Sequence, residues 1–150
     1  MIIIKRTNST DVNFINLVKL LDADLAVRDG DEHSFYAQYN GISVIKYVVV
    51  AYDNETPVAC GAIKEFSPNI MEVKRMYTLP QNRGKGIASI VLTALEQWAK
   101  ELNYTKCVLE TGKKQPEAIA LYTKNGYNII PNYGQYIGVE NSVCFEKIIE

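Results

Sequence analysis

The residues with the clearest capacity for chemistry form one turn, Gln81-Asn82-Arg83-Gly84-Lys85-Gly86. It holds two glycines two positions apart, two cations and no acid. Glycine lets the backbone adopt positive φ and approach a ligand closely. The stretch from Val73 to Ala88 reads as a strand, a turn and the first turn of a long amphipathic helix. N–H groups at a helix start have no intrahelical partner, and the helix dipole adds roughly half a positive charge there. Together these features suit a phosphate. The plain alternative is an ordinary strand-to-helix turn that contains glycine and basic residues.

Just upstream, the strand Ile70–Leu79 carries Glu72, and a period of two puts Lys74 and Met76 on the same face. Charge on a central strand is costly unless it is paired or faces a cleft. Glu72 is therefore a cleft residue or the partner of Lys74 or Arg75.

These residues must be positioned by the rest of the chain. At 150 residues the expectation is a single domain over 1–150, long enough for an independent core. The net charge of −1 makes the basic turn a local feature and speaks against a nucleic-acid partner. No apolar run approaches the roughly 20 residues that span a bilayer, and the start of the chain lacks signal-peptide flanks. No membrane partner is expected. Cys60, Cys107 and Cys144 lie far apart in apolar runs, which argues for buried thiols, no metal site and a reducing cytoplasm.

In chain order, a strand at Ile2–Arg6 precedes a helix from about Asp11 to Ala26, with N-cap candidates in Asn8–Asp11. Residues 34–40 are ambiguous, with a short helix possible. Three strands follow as a meander: Lys46–Tyr52, Pro57–Phe66 and Ile70–Leu79. A helix from Gly84 to about Asn103 carries Ile87, Val91, Leu95, Trp98 and Leu102 on one stripe. A strand at Thr105–Glu110 leads to a helix opened by Pro116 and closed by Gly126. Strands at Tyr127–Ile130 and Ser142–Ile149 flank a polar loop, Pro131–Asn141. The order implies an α+β, three-layer architecture with a mixed, mostly antiparallel central sheet of about seven strands flanked by helices. A phosphate-loop nucleotide hydrolase is disfavoured because no GxxxxGK[ST] is present, and a dinucleotide domain because no GxGxxG follows the first strand.

At Gln81-x-x-Gly84-x-Gly86 the chain resembles the GNAT superfamily of acetyl-CoA-dependent N-acetyltransferases. The resemblance extends to Glu117-Ala-Ile-Ala-Leu-Tyr-Thr-Lys-Asn-Gly-Tyr127, similar to that family's Ala-x-x-Leu-Tyr-x-x-x-Gly-Phe/Tyr segment, and to the strand order from Ile2 to Ile149. One departure is Gln115, where the family often has Asn. A further similarity, through Lys-Arg-Met-Tyr, Leu-Glu-Thr-Gly and Ser-Val-Cys-Phe-Glu, is to a bacterial subgroup of mostly unassigned substrate.

The resemblance implies acetyl-CoA as cofactor. Its pyrophosphate would rest on the turn from Gln81, Asn82, Arg83, Gly84, Lys85 and Gly86 to Ile87 and Ala88, and its pantetheine along the edge of Met76, Tyr77 and Thr78. It implies that Thr105–Glu110 splays from that edge. Tyr122 matches the family's general acid and also borders the cofactor. Glu72 matches a general base acting directly or through water; Glu110 is the alternative. The acceptor would meet Arg28, His33, Tyr36, Lys74, Glu110 and the loop Tyr133–Tyr136, where Lys74 or Arg75 would suit a carboxylate. The expected activity is acetyl transfer to a primary amine of a small molecule, amino-acid-like or another small amine, by direct attack in a ternary complex. A protein or peptide acceptor, or a non-catalytic acyl-CoA sensor, are the alternatives. A monomer or a homodimer is compatible with the sequence.

Overall fold

Asp11 sets the first helix. Its Oδ1 accepts from the backbone N–H of Asn13 (2.8 Å) and Phe14 (3.2 Å), capping two otherwise unpaired amides. The computed structural model describes residues 1–29 and 45–150, for 28 and 29 the backbone alone. The elements are β1 (Ile2–Thr7), α1 (Val12–Asp29), β2 (Tyr47–Asp53), β3 (Thr56–Ser67), β4 (Ile70–Thr78), α2 (Ile87–Glu101), β5 (Lys106–Gly112), α3 (Pro116–Lys124), β6 (Asn128–Ile130) and β7 (Ser142–Ile148). The segment 34–40 falls outside the described residues.

The strands form one seven-stranded sheet in the order β1-β2-β3-β4-β5-β7-β6. All neighbours are antiparallel except β4 and β5. The expected mixed, mostly antiparallel sheet of seven strands is what forms. One face packs on α2 and α3, where Val49, Ala59, Ile63 and Met71 meet Val91, Leu92, Leu95 and Tyr122. Leu92 and Leu95 are fully buried, each contributing about 2 kcal/mol by area removed from water. The other face packs on α1, where Phe14, Leu17, Val18 and Leu21 cover Val48, Val50, Cys60, Ala62 and Tyr77. The loop after β6 covers the far end of the sheet through Tyr136 against Cys144. All three cysteines are free and buried.

Two irregularities in β4 shape everything that follows. Its parallel ladder with β5 pairs only Ile70–Glu72 with Lys106–Val108, so the strands diverge from Val73 onward. Against β3, Lys74 pairs with Ala62 and Tyr77 with Cys60, which leaves Arg75 and Met76 opposite Gly61 alone. This is a β-bulge, and Arg75 takes φ +59° in it. The bulge corrects the simple period of two. Glu72 and Lys74 share a face, but Met76 turns to the α2 side, where its Sδ lies over Gly61 beside Leu95 and Val91. No helix among the described residues is long and apolar enough to cross a membrane.

Candidate active site

Beyond Thr78 the chain makes a single 3-10 turn, Pro80–Asn82, before reaching the glycines. Arg83 reaches back, donating from Nε to the Thr78 carbonyl (2.9 Å) while its guanidinium lies 5.5 Å from the Tyr77 ring centroid. Part of its donor capacity is thus spent on holding the turn. Gly84 (φ +78°) and Gly86 (φ +80°) are left-handed, and Gly86 is the N-cap of α2. The helix therefore begins at Ile87, not at Gly84 as the sequence pattern suggested. A Cβ at either glycine would meet nothing within 4 Å. Backbone conformation, not crowding, requires glycine here, and the space above the turn stays open. Ile90 N–H donates to Gly86 O (3.2 Å), so helix geometry leaves the amides of Ile87, Ala88 and Ser89 without a carbonyl to bond. Asn125 pins this end of α2 to α3, donating to Ser89 Oγ (3.1 Å).

The turn opens onto a groove of about 390 Å³ that follows the divergence of β4 from β5. Met76, Tyr77, Thr78, Asn82, Arg83, Gly84, Gly86, Ile87 and Ala88 line one side, and Gln115, Ala118, Leu121 and Tyr122 the other. Gln81 and Lys85 are exposed and fall outside this lining.

A smaller cavity of about 110 Å³ adjoins the groove, with Leu21, Met76, Gln115, Ala118 and Tyr122 bordering both. Its polar lining is Glu72, Lys74, Arg75, Glu110, Thr111, Gln115, Tyr122 and Tyr136. Glu72 is buried; its Oε2 accepts from Tyr133 Oη (2.6 Å) and its Oε1 lies 3.7 Å from Lys74 Nζ. Burial pushes the Lys74 amine down from its ordinary value, against the opposing charge of Glu72. Glu110 accepts from Ser142 Oγ (2.7 Å). Tyr122 is buried against Tyr127 and Phe145. Burial, then the charge of Glu110, push its hydroxyl well above the ordinary tyrosine value, so it stays protonated at neutral pH. An acid-capable phenol thus borders both spaces, and two carboxylates line the smaller one.

The Acetyltransferase (GNAT) family model matches residues 15–127, more than half of the sequence. The chain belongs to the GNAT acetyltransferase family. The uncharacterised N-acetyltransferase YjgM of Escherichia coli K12 is 42% identical over 88 residues, which cover 56% of this chain and 52% of that one. The chain thus spans about half to two thirds of the length of the curated relatives it matches first. A Klebsiella pneumoniae structure described as an acyl-CoA N-acyltransferase is 31% identical, covers 100% of this chain and 99% of its own, and has a TM-score of 0.84. The PaiA N-acetyltransferase of Thermoplasma acidophilum, solved in complex with coenzyme A, shares the fold at 17% identity, 99% coverage of both chains and a TM-score of 0.73.

Within this GNAT fold, the structure gathers Glu72, Lys74, Glu110 and Tyr122 around one cavity, with Tyr133 bonded to its wall. Tyr36 and His33 lie outside the described residues, as does the side chain of Arg28. Lys74, not Arg75, is the ion-pair partner of Glu72; Arg75 pairs instead with Asp22 (2.6 Å). Sequence reasoning missed Leu21 and Leu25, which border the cavity from α1, and the pairing of Asp22 with Arg75. The leucine spacing carried only a core signal. Gln115, met first as a departure from the family pattern, borders both spaces at the N-cap of α3.

Proposed function

We propose that this GNAT protein transfers the acetyl group of acetyl-CoA to a primary amine of a small molecule, by direct attack in a ternary complex. One observation carries the reading. The divergence of β4 and β5 makes a continuous passage from the amides at the start of α2 to Tyr122, and Tyr122 also borders the cavity that holds Glu72. The residues suit coenzyme A: open space over two left-handed glycines, unpaired amides for the pyrophosphate, and a free strand edge for the pantetheine amides.

When bound, the thioester supplies an activated acetyl group. Met76, Tyr77 and Thr78 orient the pantetheine through their backbone edge. Gly84 to Ala88 hold the phosphates, with the Arg83 and Lys85 charges nearby. Glu72 takes the proton from the acceptor ammonium, whose ordinary pKa near 10 keeps it charged at neutral pH. The Tyr122 hydroxyl gives its proton to the departing sulfur. The polar cavity of about 110 Å³ favours a small acceptor over a folded protein surface.

The test is release of free CoA from acetyl-CoA across amino acids, polyamines, aminoglycosides and peptides. Turnover with a small amine supports the reading. Turnover with peptides alone moves it to a protein acceptor, and tight cofactor binding without turnover to a sensor. The Glu72→Gln variant should lose the acidic limb of the pH–rate profile; an unchanged limb transfers the role to Glu110 or to a water chain.

A further inference from the structure

The bulge in β4 gives this strand two cations in succession, Lys74 and Arg75, facing the same side. Lys74 stands opposite Ala62, on the α1 face, and beside Glu72. Without the extra residue, Arg75 would point to the α2 side. Instead its side chain reaches Asp22 of α1, and both cations line the small cavity.

Arg75 is poorly satisfied where it sits. Its side chain is 2% exposed, whereas its partner Asp22 is 51% exposed. One hydrogen bond joins them, from Nη2 to Oδ1 (2.6 Å). The buried Nε has no hydrogen-bond acceptor among the described residues. Buried guanidinium donors are ordinarily filled, because an unfilled donor loses its water without replacement. The residue also occupies a left-handed conformation that non-glycine residues seldom adopt. A buried arginine, held in an uncommon backbone conformation, lining a cavity and with its Nε unfilled, is a site suited to an anion.

We propose that Arg75 binds a carboxylate of the acceptor, so that the acceptor is an amino acid or another small amine that carries a carboxylate. The proposal rests on the acetyl-transfer reading and names its substrate class. A carboxylate fits the guanidinium because two oxygens can meet two N–H groups of its planar fork. Lys74 is the weaker candidate, since its opposing charge, Glu72, is buried beside it, whereas that of Arg75, Asp22, is half-exposed to water. The same cavity holds Glu72 and Glu110, which are complementary to the ammonium at the other end of such an acceptor. A diamine would leave the Arg75 Nε unfilled and add a second positive charge beside it.

The experiment compares amino acids with their carboxamides, which keep the amine and lose the charge. CoA release is measured for each pair, and each is titrated calorimetrically into protein saturated with CoA. The wild type should prefer the acid by about tenfold or more, the worth of one charge-assisted hydrogen bond. Arg75→Gln should erase that preference by raising KM for the acid toward that for the amide, with the Kd of acetyl-CoA unchanged. Arg75→Lys should keep part of the preference. The unchanged acetyl-CoA Kd shows that the variants fold, and the wild-type comparison needs no variant. Equal use or binding of acid and amide, a preference retained in Arg75→Gln, or binding of neither form overturns the proposal. Acetylation of amines that lack a carboxylate as efficiently as of the acids would overturn it while leaving acetyl transfer standing; failure to bind acetyl-CoA would instead remove the underlying reading.

Discussion

Tyr133 donates a 2.6 Å hydrogen bond to Glu72, joining the loop before the last strand to the central strand across 61 positions of sequence. The bond shields a buried carboxylate whose cation partner, Lys74, stands farther off, at 3.7 Å. Burial, then the Glu72 charge, push the Tyr133 hydroxyl far above the ordinary tyrosine value. The hydroxyl is therefore a fixed donor. Tyr133→Phe keeps the ring against Phe66 and Tyr136 and removes only this bond. It should cost about 1.5–3 kcal/mol in denaturant unfolding, as expected for a hydrogen bond to a buried charge. Acceptor kcat/KM should fall while the acetyl-CoA Kd holds.

Tyr122→Phe isolates the proton-donor role proposed for Tyr122. Its ring packing on Tyr127 and Phe145 survives the change. Loss of a general acid lowers kcat by about 10²–10⁴-fold. Calorimetry should show little change in acetyl-CoA binding, since the proposed reading assigns most of it to backbone groups. An unaltered kcat would show that the phenol is only a packing residue.

The glycine turn gives a contrast between backbone and side chain. Gly84→Val and Gly86→Val put a branched side chain where φ is near +80° and fill the open space over the turn. Both should weaken acetyl-CoA binding at least tenfold more than Lys85→Ala, which removes a cation outside the groove lining. Small, equal effects in calorimetry would count against this turn as the phosphate site.

Gly61 tests the bulge from the other side. A Cβ there would sit 2.5 Å from Met76 Sδ, 2.8 Å from Leu95 Cδ1 and 3.0 Å from Val91 Cγ1. Gly61→Ala should cost about 1–3 kcal/mol through overpacking, read as a lower denaturation midpoint. Because Met76 must move, acetyl-CoA affinity should fall with it.

Alkaline unfolding has a definite sign. Burial raises the hydroxyl pKa of Tyr122, Tyr127, Tyr133 and Tyr136 in the folded chain. The unfolded chain therefore releases these protons first, near pH 10, and binds fewer of them than the folded chain. Stability should be intact below that pH and should fall as pH rises above it. Tyrosinate absorbance from these rings should appear together with loss of the circular dichroism signal. The thiols follow the same rule: burial pushes Cys60 and Cys107 up to about 12 and Cys144 up to about 11. All three should resist thiol reagents at neutral pH until the chain unfolds.

The glycine turn and the groove it opens onto were legible in the sequence because they are made by local geometry. Two glycines, a helix start and a preceding strand are contiguous, and Tyr122 lies in a short motif of its own. The strand order was readable for the same reason, from hydrophobic periods and turn residues. The face of Met76 was not, because a bulge depends on how β3 lies against β4, and Gly61 sits 15 positions away from it. Nor was the Arg75–Asp22 pair, which spans 53 positions. Glu72 could be flagged as a charge in need of a partner. Choosing between Lys74, Arg75 and a tyrosine of a distant loop required the folded chain.

The parting of β4 from β5 also bears on how freely the sequence can drift. A ligand held by a strand edge and by helix-terminal amides is recognised by atoms every residue possesses. Substitutions along that wall therefore leave recognition largely intact so long as the chain keeps its path. The α1 side of β4 works by the opposite logic. There one exchange at Arg75, Lys74 or Glu72 changes the charge lining the small cavity proposed for the acceptor. On the proposed reading the same strand is tolerant of mutation on its open edge and sensitive on one face, a division that would let acceptor choice change without rebuilding the groove.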